Sequence, residues 1–389
     1  MIKTFSLSTA NIDDIEAAVE DIKSQLDPEH KLLKYSVGIA ACHYEFVLSG
    51  AFKAVCKALP FDVAGTISSA QAINKESGTL LLTLFVLTSD DISFKTVLSD
   101  SLKGNPGKTI EESYKNGTAG ARPAMMFAYA PFMVENSGDE YVNVLTAVSG
   151  GVPCFGTLSI DDTADFQECY MLYNGEHYRD RMSMILVYGQ IRPKFYLASL
   201  SESKLLDRSA VVTSSEGHIL KEVNGRPVIE YFENLGLTKA SETAYAMTSL
   251  PFMLDYMDGT PPVSKVFIGL NESKHAICAG AMPEGSTLYL GVLDKDDVLL
   301  TSRKAFQDAL KETAEASGIL IYSCISRIMA LGSDMFAEIE MIQKEAGGKV
   351  PFLMAYSGGE ICPTRINPDA PGNAAVNRFH NNTFILCIF

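Results

Sequence analysis

The stretch "YSVGIAACHYEFVLSGAFKAVCKALPFDVAGTISSAQA", residues 35–72, indicates the fold class of this protein. It begins with an apolar, strand-like run and continues with apolar residues at helical spacing from Phe46 to Ala58. A proline, a short second strand and a loop of glycine and hydroxyl residues follow. Two continuous apolar strands joined by one helix are typical of a parallel βαβ unit that is buried on both faces.

The same order of features recurs twice along the chain. A second copy runs from "AMMFAYAP" (124–131) to "GGVPCFGTLSIDD" (150–162), and a third from "GILIYSC" (318–324) to "GGKVPFLMAYSGGE" (347–360). The residue identity between the copies is faint, but three matches in one order indicate internal duplication. We therefore expect an α/β fold of mixed sheets flanked by helices, with internally repeated strand–helix–strand units.

Other segments add detail to this expectation. Residues 11–26 predict an amphipathic helix capped by Asn11, and residues 101–123 predict a polar loop. Residues 213–237 predict a hairpin followed by a helix that starts at Pro227. Runs of β-rich sequence predict antiparallel strands that extend the sheets, at 79–87, 182–200, 265–270 and 286–293.

A chain of 389 residues exceeds the size at which a single core keeps growing, so we expect two domains, 1–212 and 213–389. The net charge is −15, and the sequence has no cluster of five or more Lys and Arg. This balance argues against binding to nucleic acid or to an anionic membrane surface. No run approaches eighteen apolar residues, and the N-terminus turns acidic too early for a signal peptide. We therefore expect a cytoplasmic protein without membrane insertion.

The cysteines and histidines give little support for an enzyme. The eight cysteines are scattered without a Cys-x-x-Cys pair, as is typical of buried thiols in a reducing compartment. Cys42 and His43 are adjacent and cannot face each other, so a nucleophilic cysteine would need a distant partner such as His380. The histidines show no metal-ligand spacing, although one axial histidine to haem is not excluded by spacing. "GNPGKT" (104–109) lacks the first glycine of a phosphate-binding loop and predicts a surface turn.

Three loops that follow short strands carry the more specific signal, "AGTISS" (64–69), "GTLSIDD" (156–162) and "YSGGE" (356–360). In α/β sheets, ligands bind beyond the carboxyl ends of parallel strands. Glycines let a ligand approach the backbone, and free N–H groups there favour an anion such as a carboxylate. Glu360 would in turn suit an amine. The alternative is that the three loops are simply tight turns.

The C-terminal half, with "SCISRIMALG", "PFLMAYSGGEICP" and "NRFHNNTFILCIF", resembles the FIST domain family. The shared markers are a Cys-x-x-Arg (Cys324 and Arg327), a Gly-Glu-Ile (359–361) and an Asn-x-x-His-Asn-x-Thr (377–383). Residues 33–208 are similar to the N-terminal domain of the family through weaker markers. The loop "AGTISS" departs from the Gly-Glu that relatives tend to carry there, which leaves an equivalent N-terminal site in doubt.

The resemblance implies an intracellular sensory module that binds a small ligand, with amino acids among the candidates. It also implies a signalling partner, such as a kinase or a cyclic-nucleotide enzyme, and we expect that partner to be a separate protein. We expect the ligand to shift the relative arrangement of the two domains. The resemblance places the ligand-binding residues in the C-terminal half, at Arg327, Ser357, Gly358, Gly359, Glu360, Asn377, His380 and Asn381.

Three alternatives remain open at this point. Some relatives are haem-dependent nitric-oxide sensors, and His380 would then be the candidate haem ligand. An enzyme, such as a hydrolase or transferase with a cysteine nucleophile, would use Cys42, Cys362 or His380. A scaffold without a ligand would show an exposed apolar patch.

Overall fold

The computed structural model describes residues 2–26, 32–133, 136–163, 166–237, 250–312, 316–366 and 374–389. It confirms an α/β fold with mixed sheets flanked by helices. Three six-stranded sheets and one eight-stranded sheet form its framework. The three six-stranded sheets are built from three copies of one unit, which we call repeats 1, 2 and 3.

Repeat 1 contains six strands and three helices, in the order β1 (Ile2–Thr9), α1 (Ile15–Leu26), β2 (Tyr35–Cys42), α2 (Glu45–Leu48), α3 (Ala51–Ala58), β3 (Val63–Ile67), β4 (Gln71–Ile73), β5 (Ser77–Gly78) and β6 (Leu82–Ser89). Repeat 2 follows the same plan, with β7 (Ser93–Leu98), α4 (Pro106–Thr118), β8 (Met125–Pro131), α5 (Gly138–Ser149), β9 (Cys154–Ser159), β10 (Met171–Tyr173), β11 (Glu176–Tyr178) and β12 (Ser183–Tyr188).

Repeat 3 begins with β13 (Lys194–Ala198) and is then interrupted by an inserted segment, whose described residues form one short α-helix and eight strands. The insert comprises β14 (Leu205–Glu216), β15 (Ile219–Val223), β16 (Arg226–Pro227), α6 (Val228–Asn234), β17 (Phe252–Asp255), β18 (Val263–Lys265), β19 (Phe267–Leu270), β20 (Ala276–Cys278) and β21 (Thr287–Gly291). Repeat 3 then resumes with α7 (Lys295–Glu312), β22 (Ile319–Cys324), α8 (Ile325–Leu331), α9 (Ala337–Ala346), β23 (Phe352–Ser357), β24 (Glu360–Ile366), β25 (Ala375–His380) and β26 (Phe384–Ile388).

Each repeat contains one parallel strand pair, as the internal duplication predicted. The pairs are β2 with β3, β8 with β9, and β22 with β23. The last strand of each repeat, β6, β12 or β26, pairs antiparallel with the first strand of the parallel pair. The sequence thus repeats a parallel pair with its antiparallel neighbour three times.

The three repeats exchange hairpins in a cycle. The hairpin β4–β5 of repeat 1 extends the sheet of repeat 3, with Gln71 opposite Ala355. The hairpin β10–β11 of repeat 2 extends the sheet of repeat 1, and β24–β25 of repeat 3 extends the sheet of repeat 2. Every six-stranded sheet is therefore completed by strands from another repeat.

The inner faces of the three sheets share one core. Phe85, Phe127 and Tyr322, which come from three different sheets, are fully buried in a single apolar cluster. The hydroxyl of Tyr322 donates to that of Tyr129 at 3.1 Å in this cluster. Because apolar burial is the main stabilising contribution to folding, this shared core favours one joined structure over three independent repeats.

The inserted segment has its own antiparallel sheet and its own apolar core, which includes Phe232 and Phe252. It docks on repeat 2 through a buried ion pair of 2.7 Å between Lys265 of β18 and Asp139 of α5. The backbone N–H of Asn381 also donates to the carbonyl of Ser264 at 3.1 Å. The strands predicted at 265–270 and 286–293 belong to this insert and do not extend the sheets of the repeats.

Two local predictions were wrong, and one was confirmed. Residues 106–118, predicted as loop, form helix α4, because the Asn105 side chain accepts from Lys108 N and Ile110 is buried. Helix α1 starts after Asp14, whose carboxylate accepts from Ala17 N at 2.9 Å, and Asn11 does not cap it. The hairpin β14–β15 and a helix after Pro227 are present as predicted.

Residue 212, the predicted domain boundary, lies within β14. Strands β24 and β25 from beyond this residue complete the sheet of repeat 2, and β4 from before it pairs with β23. The two sides of residue 212 are therefore joined by ladders of backbone hydrogen bonds. The division at 212 stays a prediction.

Candidate functional site

The three loops singled out in the sequence meet in space. Ile160 N donates to Ile67 O at 3.3 Å, which joins the first loop to the second. Gly358 N donates to Leu158 O at 2.9 Å, which joins the third loop to the second. Tyr356 N donates to the carbonyl of Ala70, directly after the first loop, at 3.0 Å. We call segments 64–70, 156–162 and 356–360 the three-loop junction.

A pocket of about 430 Å³ lies beside this junction and receives residues from all three repeats. We call it the junction pocket. Ser69 comes from repeat 1, Asp162 and Phe166 from repeat 2, and Ile328 and Met329 from helix α8 of repeat 3. A concave, mostly apolar site with a few polar groups is the usual form of a small-molecule site.

The two aspartates at the pocket have different roles. Asp161 is buried and accepts from Thr163 N at 2.7 Å and from Thr163 Oγ1 at 2.6 Å, so its carboxylate is occupied in shaping its own loop. The Asp162 side chain is 48% exposed, and its carboxylate lies 3.3 Å from His43 Nε2. Because Glu45 N donates to His43 Nδ1 at 3.3 Å, the ring proton sits on Nε2 and is donated to Asp162.

Ser69 contributes a second polar group to the lining. The residue is 5% exposed, and its Oγ has no hydrogen-bond partner among the residues that the structure describes. Buried hydroxyls normally have a partner, because an unmade hydrogen bond costs free energy. Ser69 is therefore a group that a bound ligand can satisfy.

Glu360 stabilises the three-loop junction from inside the protein, where it is fully buried. Its carboxylate accepts from Ser357 Oγ at 2.6 Å and from Thr383 Oγ1 at 2.5 Å. Burial raises the pKa of Glu360 to about 8. Gly359 has a φ of 134°, which favours glycine, and an added Cβ would meet the Phe379 ring. Ser357, Gly358, Gly359 and Glu360 are consecutive in this loop, and they do not line the junction pocket. Their role in ligand binding stays a prediction.

Arg327 belongs to a buried network. The residue lies on α8, and its network joins α8 to the neighbouring helices α7 and α9. Its guanidinium pairs with Glu338 at 3.0 Å and donates to Val298 O at 2.9 Å and to Ser302 Oγ at 2.5 Å. Glu338 also accepts from Tyr356 OH at 2.9 Å. These contacts occupy the side chain inside the protein.

The residues before the last strand also lie inside the protein. The Asn377 amide accepts from Cys154 N at 2.9 Å and donates to Val152 O at 3.0 Å, so it closes the start of β9. The Asn381 side chain accepts from Val266 N at 3.4 Å and contacts the insert. Both are at most 2% exposed.

His380 lies in β25, opposite Glu360 of β24, and its ring is buried. The backbone of Cys362 is the one hydrogen-bonding group that acts on the ring among the described residues. Burial, followed by the charge of Lys265, lowers its pKa to about 3. An axial haem ligand needs open space on one side of its ring, and His380 is 1% exposed. The surroundings of His380 do not fit haem.

The cysteines do not fit the enzyme alternative. All eight are buried, and burial raises the pKa of Cys42 and of Cys362 well above its usual range. A nucleophilic cysteine needs a lowered pKa and solvent access. Among the described residues, no three His, Cys, Asp or Glu side chains are grouped to hold a metal ion.

The site predicted from the sequence and the pocket in the structure are therefore neighbours. Glu360 and its partners form a buried layer behind the three-loop junction, whereas Ser69, Asp161 and Asp162 line the pocket. These three residues lie in the loops "AGTISS" and "GTLSIDD". The glycine and hydroxyl pattern after a strand was the signal that pointed to them, and the predicted residue set did not include them.

Comparisons with known proteins agree with the expected two-domain organisation. Residues 36–226 match the family model of the FIST N domain, and residues 229–363 match that of the FIST C domain. No curated protein matches the sequence. Within the described residues, no helix combines the length and apolar character needed to cross a bilayer.

Solved structures show only weak similarity to this chain. Cyanuric acid hydrolase from A. caulinodans has a TM-score of 0.38 and 8% identity, with 100% of this chain and 99% of that chain covered. PurLQS from Thermotoga maritima has a TM-score of 0.21 and 9% identity, with 100% of this chain and 72% of that chain covered. Similarity at this level gives no support for a shared activity.

Proposed function

This chain belongs to the FIST family, whose domains are generally signal-transduction sensor domains, and we propose that it binds a small ligand in the junction pocket and signals to a separate protein. The observation that supports this proposal best is that one pocket is lined by two of the three loops, from repeats 1 and 2, and by helix α8 of repeat 3. A ligand there contacts all three repeats at once and can therefore bias the whole structure.

Helix α8 is the proposed element that responds to the ligand. Ile328 and Met329 on one face line the pocket, and Arg327 on the buried side bonds to α7 and α9. A ligand that binds one position of α8 better than another shifts the population of that position. Shared sheets join the two sides of residue 212, so we place the switch in α8 instead of in a hinge between the domains.

The proposal is tested by thermal unfolding in the presence of a metabolite panel that includes amino acids. A ligand that binds only the folded state raises the melting temperature. We expect at least one compound to do so for the native protein, and Met329→Trp, which fills the pocket, to remove the effect. Met257→Trp is the matched control, because Met257 is 69% exposed in the insert.

Two results would contradict the proposal. One is that no compound raises the melting temperature at saturating concentration, and the other is that the increase persists unchanged in Met329→Trp. Signalling to a partner is tested by adding the ligand-loaded protein to a candidate kinase or cyclic-nucleotide enzyme. The catalytic rate of that enzyme should change with the native protein and should not change with Met329→Trp.

A further inference from the structure

We infer that the junction pocket recognises a cationic ligand, namely a primary amine with an apolar body. This inference rests on the proposed function, because it names the ligand class of the same pocket. It follows from the charge at the pocket, from its apolar wall and from the free hydroxyl of Ser69.

The charge around the pocket is negative. Asp161 and Asp162 line it, and no lysine or arginine lines it in the part of the chain that the structure describes. The pKa of the neighbouring Tyr44 agrees with this negative charge, because it is raised first by burial and then by the charges of Asp162 and Glu45. A pocket with one sign of charge attracts a ligand of the opposite sign.

Asp162 is the carboxylate that is available to a ligand. It is half-exposed, and its only described partner is the His43 ring at 3.3 Å. That single donor leaves lone pairs on both carboxylate oxygens for an ammonium group, since each oxygen can accept two hydrogen bonds. His43 is 5% exposed and fixed by Glu45 N, so it holds the carboxylate in position.

The remaining lining suits the other parts of such a ligand. Ile328, Met329 and Phe166 form an apolar wall, and the Phe166 ring can also attract a cation. Ser69 Oγ is buried without a partner among the described residues and can accept an ammonium N–H. A volume of about 430 Å³ holds a small aryl or alkyl amine.

An amino acid or an organic acid fits less well, because its carboxylate finds no lysine or arginine to pair with among the described residues that line the pocket. Arg179, in the same repeat, is bonded to Glu168 at 2.9 Å and to Tyr170 OH at 2.8 Å. Arg327 is fully buried in its network with Glu338. A carboxylate placed beside Asp162 would be repelled by it.

Ligand-observed NMR titrations on the full chain test the inference. The probes are matched sets that keep one body and change one group, such as phenethylamine, phenylalanine, 3-phenylpropionate and 2-phenylethanol, with corresponding alkyl sets. We expect the amines to bind most tightly, and Asp162→Asn to weaken them by about tenfold or more. Asp13→Asn, an exposed aspartate in repeat 1, is the matched control and should leave binding unchanged.

The inference is overturned if acids or alcohols bind as tightly as the amines with the same body. It is also overturned if amine binding survives Asp162→Asn. An acid or alcohol that binds native protein and fails to bind Met329→Trp would overturn the ligand class while supporting the proposed sensor. The absence of binding by every class in the panel would count against both.

Discussion

The guanidinium of Arg327 and the carboxylate of Glu338 form an ion pair of 3.0 Å, and neither side chain is exposed to solvent. The sequence resemblance placed Arg327 in a ligand pocket, but in the structure its donors go to Glu338, to two carbonyls and to two hydroxyls. A residue with these contacts connects helices. Its removal therefore affects stability first and ligand binding second.

Replacing Arg327 should destabilise the protein strongly. Arg327→Met leaves the Glu338 charge buried without its partner, which typically costs about 3–5 kcal/mol. The double variant Arg327→Met with Glu338→Gln removes both charges and keeps an acceptor for Tyr356 OH, so we expect it to regain most of that loss. Urea unfolding of the two variants and the native protein measures the difference. Native stability in Arg327→Met together with lost ligand binding would instead support the role predicted from the sequence.

Glu360 should make the protein less stable as the pH rises. Its pKa is raised from 4.5 to about 8, so the unfolded chain loses this proton before the folded protein does. The contribution of Glu360 to the free energy of unfolding is therefore fully present below pH 4.5. It is lost as the pH rises towards 8, by roughly 1.4 kcal/mol per pH unit. Glu360→Gln cannot ionise and should show a flatter profile.

Between pH 6.5 and 8 the comparison with Glu360→Gln isolates Glu360, because the slope that His380 still contributes near pH 6.5 is the same in both proteins. Urea unfolding at several pH values in this window provides the measurement, and Glu140→Gln at an exposed position of α5 serves as a control. Parallel profiles for native protein and Glu360→Gln would show that the folded carboxyl is already ionised at pH 6.5.

His380 should make the protein less stable as the pH falls. Its pKa is lowered from 6.5 to about 3, so the unfolded chain takes up this proton first as the pH falls. Stability is therefore lost as the pH falls below 6.5 towards 3. His380→Leu should be more stable than native protein at pH 4.5 and similar to it at pH 7.5, as measured by thermal unfolding.

The same variant tests the haem alternative. Haemin added to native protein and to His380→Leu should give the same Soret band, because the buried ring offers no open side to haem. A stoichiometric band in native protein that disappears in His380→Leu would identify His380 as the ligand and refute this expectation.

The cysteines should react slowly in the folded protein. Burial raises the pKa of Cys42 and Cys362, and the thiolate is the reactive form. We expect all eight thiols to react with a chromogenic disulfide rapidly in urea and slowly without it. One thiol that reacts fast in native protein would revive the cysteine-enzyme alternative, and mass spectrometry of the labelled peptide would name it.

The sequence predicted features that depend on local pattern. The apolar runs and helical spacing of residues 35–72 predicted a parallel pair, and β2 and β3 form one. The glycine and hydroxyl loops were predicted as ligand-binding candidates beyond the carboxyl ends of parallel strands, and in the structure the three loops meet. Helix α4 was missed because its outer face is polar, and only Ile110 and Tyr114 mark its buried side.

The sequence did not predict features that depend on distant partners. The hairpin exchange places Gln71 opposite Ala355, and nothing in either strand specifies that pairing. The site residues are a second case, because a buried polar residue and a ligand-binding one are the same residue types in a sequence. Asn377 is an example, since its amide bonds backbone groups of residues 152 and 154.

The exchange of hairpins has a consequence for synthesis on the ribosome. Strand β3 of repeat 1 pairs with β2 on one side, but its other edge stays unpaired until β10 has emerged. In the same way, one edge of β9 in repeat 2 stays unpaired until β24 has emerged. A nascent chain therefore carries unpaired strand edges for most of its translation, which is a state prone to aggregation. Contacts between such distant residues also slow folding, so this protein should depend on chaperones during its synthesis more than a chain of the same length with local strand pairing.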